Sequence, residues 1–245
     1  MRPAYPLKIA LLVLASAQAA HALEPANPKT NHKAREILNY LANLPNHREK
    51  RLVSGQFTNF GSGARLRDCE TAFKTTGHWP AMIGLDYAEF RTGGLDYANV
   101  NRLAIDYAQN GGLVTISVHL YNPANPKGGG LRDKGVDLET LLVPGTDTHT
   151  RWMQELDFVS AGLQELKDAG VVVLWRPFHE MNGGWFWWGA KDPEVFIQVW
   201  RQMFDYFSKT KGLDNLLWVY APNHGQNTAS IMSFRHFPSG KVLEQ

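Results

Sequence analysis

The sequence predicts an α/β fold of repeated parallel βα units, a (β/α) barrel, and three observations carry that prediction. Five short apolar runs, at residues 51–56, 81–86, 113–119, 171–178 and 216–221, show little polar alternation, as expected of strands covered on both faces. Longer stretches with helical spacing stand between them, at residues 67–75, 95–109, 150–169 and 193–209. A doubly wound sheet would share this alternation, but no Gly-x-Gly-x-x-Gly turn follows the first strand to make a nucleotide site, so the barrel is preferred. Composition agrees: a chain of 245 residues, 44% hydrophobic and 20% charged, buries a large core without needing a disulfide or metal staple.

The elements follow in order. Residues 1–22 place Arg2 and Lys8 ahead of an apolar run over residues 9–15 and end in Ala20-His21-Ala22. This is the pattern of a secretory signal peptide, cleaved after Ala22 or alternatively after Ala19, and the run is too short for a membrane span of about 20 residues. A secreted or periplasmic protein is therefore expected. Without Arg2 and Lys8 the basic and acidic residues are equal in number. A neutral chain offers no electrostatic reason to expect nucleic acid or a membrane surface as partner. Residues 23–33, rich in Pro, Asn and Lys, read as a connector, and residues 34–245 as one domain. That domain opens with a helix over residues 34–44, which aligns Ile37, Leu38, Leu41 and Leu44 on one face. The single cysteine, Cys69, reads as a buried free thiol, with an intermolecular bridge or an absent partner as alternatives. The long connection over residues 120–149 holds Gly128-Gly129-Gly130 but no phosphate-loop pattern, and reads as a flexible cleft wall.

The chemistry concentrates after the fourth strand, where Arg176, His179 and Glu180 precede Trp185, Phe186, Trp187 and Trp188. Strand C-termini of a barrel face the active-site mouth, so Glu180 stands where catalytic carboxylates stand. Exposed Trp185, Trp187 and Trp188 would stack on the apolar faces of sugar rings; the competing reading makes them core and His179–Glu180 a satisfied hydrogen-bonded pair. No zinc site is expected, because Gly183 stands where His-Glu-x-x-His needs its second histidine.

The run 176–189 resembles the signature of glycoside hydrolase family 26, mainly endo-β-1,4-mannanases on a (β/α)8 barrel. Weaker matches at Leu52-Val53-Ser54-Gly55-Gln56, Gly84-Leu85-Asp86, Ser117-Val118-His119 and Trp218-Val219-Tyr220-Ala221-Pro222-Asn223 extend the resemblance over residues 35–223. It implies that Glu180 is the acid/base of a retaining glycosidase, with a raised pKa and a carboxylate nucleophile about 5–5.5 Å away. It further implies that His179 and Trp185 shape the cleavage point and that His119 contacts a sugar hydroxyl. Trp188 is expected at the substrate and Asp86 as a sugar or structural hydrogen-bonding group. Arg176 is expected to be buried, orienting carboxylates by bidentate bonds. The implied partner is mannan, galactomannan or glucomannan, with β-1,3-xylan and mixed-linkage β-glucan as alternative substrates. A monomer with no metal or organic cofactor is expected.

The strands recur about every 41 residues, so 245 residues reach only the fifth of eight units. The family's nucleophile is then expected beyond Gln245, in a domain truncated at its C-terminus. Glu244 lies too near the end to replace it, and Asp86 and Glu89, the remaining carboxylates near the mouth, are not expected to do so. The alternative function is a non-hydrolytic remnant that binds polysaccharide weakly.

Overall fold

The computed structural model describes residues 23–49, 51–89, 94–127, 130–133 and 135–223. The expectations placed on residues 1–22, on Gly128 and Gly129, and on residues 224–245 lie outside the described residues. Ten principal elements alternate along the chain: α1 (His32–Asn43), β1 (Gly55–Phe60), α2 (Arg67–Thr76), β2 (Met82–Asp86), α3 (Ala98–Gln109), β3 (Leu113–Ser117), α4 (Asp147–Asp168), β4 (Val173–Arg176), α5 (Pro193–Asp205) and β5 (Leu216–Trp218). The strands form one sheet in the order β1-β2-β3-β4-β5, every neighbouring pair parallel. Consecutive parallel neighbours joined by helices are the arrangement of barrel βα units.

Side-chain alternation gives the sheet two different faces. Ile83 and Leu85, Val114 and Ile116, Val173 and Trp175, and Leu216 and Trp218 join the main core with residues of α2, α3, α4 and α5. The opposite face carries Val172, Leu174 and Leu217, and α1 closes over it through Ala34 and Leu38. Thus α1 covers the sheet from the side that the other helices leave open.

The helix ends explain several boundary shifts. Helix α4 begins at Asp147, three residues earlier than predicted, because the Thr146 side chain accepts the His149 N–H as an N-cap. Helix α3 starts only at Ala98. Ahead of it, Leu95 bridges Ala88, and the Asp96 side chain accepts the Ala98 N–H. Asp192 caps α5 through the Glu194 and Val195 amides, with Pro193 in its first turn.

The strands are shorter than the apolar runs. The first differs most: β1 spans Gly55–Phe60, and Leu52, expected within it, is 91% exposed. Ser54 O already accepts the Ala81 and Met82 amides, so the ladder to β2 begins there. Strand β4 stops at Arg176, because Pro177 has no N–H to donate and Phe178 follows with φ +48°. Cys69 is buried on α2 and free, and burial pushes its thiol up to about 11.

Two features make testable claims about stability. Gly162 lets α4 approach α3: an added Cβ would meet the Tyr97 ring at 2.7 Å, and Asn101 Nδ2 donates to Gly162 O at 2.8 Å. Gly162→Ala should therefore lower stability by about 1–3 kcal/mol in urea melts, although alanine favours a helix by roughly 1 kcal/mol.

Glu155, also on α4, is a buried carboxyl whose Oε1 accepts the Tyr121 amide, and burial pushes it up to about 8. A raised acid pKa gives stability that is full below the unfolded value near 4.5 and is lost as pH rises through 8. Glu155→Gln should flatten the fall in melting temperature between pH 5 and 8, and an unchanged slope would contradict this assignment.

Candidate active site

The open face of the sheet turns from apolar to polar toward the strand C-termini. Asp86, Ser117 and Arg176 register across β2, β3 and β4, one step above the row of Gly84, Thr115 and Leu174. Asp86 has no exposed surface. Its Oδ1 accepts the Ala88 amide at 2.8 Å and the His119 amide at 3.2 Å. Its Oδ2 accepts the Ser117 hydroxyl and lies 2.9 Å from His119 Nδ1. Burial pushes this carboxyl up, but His119, Ser117 and the Ala88 amide together outweigh burial and hold it below the usual carboxylate value.

An ionised Asp86 fixes the next bond. It accepts from His119 Nδ1–H, which turns His119 Nε2 toward His179. His179 Nε2 lies 3.1 Å from that atom, and one of the two rings donates to the other. His179 Nδ1 is buried, with no hydrogen-bond partner among the described residues. Burial pushes the His179 ring down to about 4, and His119 and Arg176 add to the effect against Asp86 and Glu180. His179 is therefore neutral at pH 7.

Glu180 lies in the tight connection between β4 and α5. Phe178 and Glu180 have φ of +48° and +57°, each costing about 1–2 kcal/mol for an L residue. The surroundings hold this backbone in place. The Glu180 amide donates to Ala221 O at 2.7 Å, and Phe178 packs against Trp152, Phe196 and Trp200. The carboxylate accepts Trp185 Nε1–H at 2.8 Å through Oε2 and Asn223 Nδ2–H at 3.0 Å through Oε1. Asn223 is itself fixed by a reciprocal pair with Asn182: its amide donates to Asn182 Oδ1, and its carbonyl accepts from Asn182 Nδ2, both at 2.7 Å.

Three sequence expectations need correction. Trp187 and Trp188 have no exposed surface, so neither ring offers a face to a sugar. They are scaffold. Trp187 Nε1 donates to Leu120 O and its amide to Leu131 O, which tethers the described part of the wall expected to be flexible. Trp188 Nε1 donates to His179 O, and its ring stacks on Phe186 at 4.5 Å. Of the three tryptophans only Trp185 is partly exposed. Of the two roles expected of Asp86, the sugar contact falls away and the structural one stands: fully buried with both oxygens bonded, it anchors His119. Arg176 forms no ion pair with a described carboxylate, and its Nε is buried with no partner among the described residues. Its charge acts on His179 rather than on an acid.

Glu89 is buried and its Oε2 accepts the Ser62 amide at 2.8 Å. Among the described residues no cluster of His, Cys, Asp and Glu could hold a metal ion, and no helix is long and apolar enough to cross a membrane.

The model of glycosyl hydrolase family 26 matches residues 26–239. The chain belongs to this family. A mannan endo-1,4-beta-mannosidase of Bacillus subtilis is 38% identical over 234 residues, covering 89% of this chain and 65% of its own length. The mannan endo-1,4-beta-mannosidase A and B of Caldalkalibacillus mannanilyticus is 35% identical, covering 81% of this chain and 41% of its own length. The chain thus spans less than two thirds of these relatives.

Among solved structures, the Bacillus subtilis mannanase man26 superposes with a TM-score of 0.80 at 33% identity, over 85% of this chain and 67% of its own. The Podospora anserina GH26-CBM35 beta-(1,4)-mannanase does so with a TM-score of 0.67 at 29% identity, over 84% and 47%. The five parallel βα units are accordingly part of the family 26 (β/α)8 barrel.

Sequence reasoning assigned no role to Asn223 or Ser117, although both stand inside the quoted motifs at strand ends. Position past a barrel strand was the signal for Asn223. Ser117 needed the register with Asp86.

Removing the Asp86 carboxylate would strand the His119 Nδ1–H, the Ser117 hydroxyl and two amides in the interior. Asp86→Ala should cost about 2–4 kcal/mol in chemical denaturation. The depressed His179 pKa means that the unfolded chain binds a proton between pH 6.5 and 4 that the folded chain refuses. Stability should fall over that window on acidification, and His179→Gln should reduce the slope.

Proposed function

We propose that the chain carries the acid/base half of a retaining β-1,4-mannanase site. The observation that carries this reading is the Glu180 carboxylate, clamped between Trp185 Nε1 and Asn223 Nδ2 at the C-terminal rim of a parallel family 26 sheet. In the proposed double displacement, Glu180 protonates the leaving glycosidic oxygen and later takes the proton of the attacking water. The partly exposed Trp185 ring packs against the sugar at the cleavage point, and the His119–His179 pair, whose ring nitrogens are bonded to Asp86 and to each other or buried, shapes the wall beside it rather than bonding a hydroxyl as expected. The names of the family 26 relatives favour mannan over β-1,3-xylan and mixed-linkage glucan as the substrate.

The retaining route needs a second carboxylate about 5–5.5 Å from the acid/base. Asp86 is unsuited, because both its oxygens are bonded in the interior, and Glu89 is buried and bonded to the Ser62 amide. We therefore assign the nucleophile to none of the described residues. The pattern of residues 1–22 supports export, which the N-terminal mass of the protein recovered outside the cytoplasm would test.

The 245-residue chain should release no reducing sugar from mannan but should bind mannopentaose, and Trp185→Ala should weaken that binding about tenfold. Hydrolysis that disappears in Glu180→Ala would overturn the assignment of the nucleophile. Unchanged affinity in Trp185→Ala would overturn the site itself.

A further inference from the structure

A second concavity lies on the same rim, walled by the β2–α3 connection, the β3–α4 connection and the first turns of α4. It has a volume of about 450 Å³, within the range of small-ligand sites. None of Asp86, His119, His179, Glu180 or Trp185 lines it. Three features on its wall are built rather than incidental.

The first is Glu155, which lines the cavity with only 8% of its surface exposed. One carboxyl oxygen accepts the Tyr121 amide; the other, Oε2, is buried with no partner among the described residues. The second is aromatic surface. Phe158 is 40% exposed, supported from behind by the Tyr97 ring at 5.0 Å, and Tyr121 stands opposite on the β3–α4 connection. The Tyr121 hydroxyl sits where a Cβ on Gly94 would lie only 2.4 Å away, and Gly94 adopts φ +121°, so only glycine accommodates this ring. The third is a set of planar polar groups. Arg151 is oriented by the bond from its Nε to Pro123 O at 2.6 Å, and Asn125 and the exposed Gln154 stand beside it.

Aromatic faces beside planar multidentate donors and a buried hydrogen-bonding carboxyl match the two surfaces of a pyranose, its apolar C–H face and its ring of hydroxyls. Burial pushes the Glu155 carboxyl up to about 8, so at neutral pH it is protonated and suited to an uncharged hydroxyl partner. We propose that this cavity is a second, non-catalytic sugar site that takes one pyranose of a neutral β-mannan chain, with Phe158 as stacking platform and Arg151, Gln154 and Glu155 as hydrogen-bonding groups. The choice of mannan rests on the proposed function of the Glu180 site; the site itself does not.

Isothermal titration of the 245-residue chain with mannopentaose tests it, with xylopentaose as the comparison sugar. Two binding events per chain are expected. Phe158→Ala and Arg151→Ala should each weaken one of them at least tenfold with the melting temperature unchanged, while Trp185→Ala weakens only the other. Glu155→Gln, which keeps an acceptor for the Tyr121 amide and a donor for the ligand, should retain the Phe158-dependent event. Glu155→Leu should lose it. A single event abolished by Trp185→Ala and untouched by Phe158→Ala would overturn the second site while leaving the Glu180 reading intact. A Phe158-dependent event that prefers xylopentaose would overturn the mannan assignment, and the absence of any Phe158-dependent event with either sugar would overturn the proposal.

Discussion

Asp86 brings a carboxylate to the end of β2 at a depth with no solvent exposure, and its four hydrogen bonds set the positions of everything around it. A buried charge is tolerated only when its lone pairs are filled. Here they are filled by the backbone just past β2, the hydroxyl of β3, and the amide and ring of His119. The same acceptor holds His119 Nδ1, which leaves His119 Nε2 facing His179 Nε2. One anion thus orders two imidazoles on two different strand ends, and it does so without touching a ligand. The same bonds tie β2 to β3 at the rim, so their loss would be felt in stability as well as in the site.

The strain at Phe178 and Glu180 belongs to the same design. A residue with a side chain enters the left-handed region only where its neighbours over-determine the backbone. In this chain that role falls to the tryptophan run. Trp188 holds the His179 carbonyl, Trp187 holds the β3–α4 connection, and both rings, with Trp152 and Trp200, surround Phe178. The aromatic cluster that suggested a sugar platform is mostly the brace that keeps Glu180 aimed out of the sheet between Trp185 and Asn223.

Much of this was legible in the chain. The alternation of apolar runs and helical periods gave the order of elements, because strands covered on both faces leave an unambiguous continuous signature. The position of Glu180 was legible because a barrel presents its strand C-termini at one mouth. The exposure of Trp187 and Trp188 was not. Four aromatics in succession satisfy a platform and a brace equally well, and only the bonds from their indole nitrogens to Leu120 O and His179 O distinguish the two. The first strand was displaced because Leu52 and Val53 look like strand interior, yet the ladder to β2 starts at Ser54. Glu155 carried no signal, since a glutamate in the middle of a long helix is ordinarily solvated.

Arg176 and Asp86 lie on either side of Ser117 in one row of the sheet, a cation and an anion that do not pair with each other. Their opposition explains the state of His179. Asp86 would favour a charged ring and Arg176 a neutral one, but Asp86 is partly neutralised through its short path to His119, while the Arg176 charge is not paired with a described acid. Burial, the largest influence, sides with Arg176. The result is a neutral imidazole with a buried Nδ1, adjacent in sequence to a carboxylate that Trp185 and Asn223 already supply with donors.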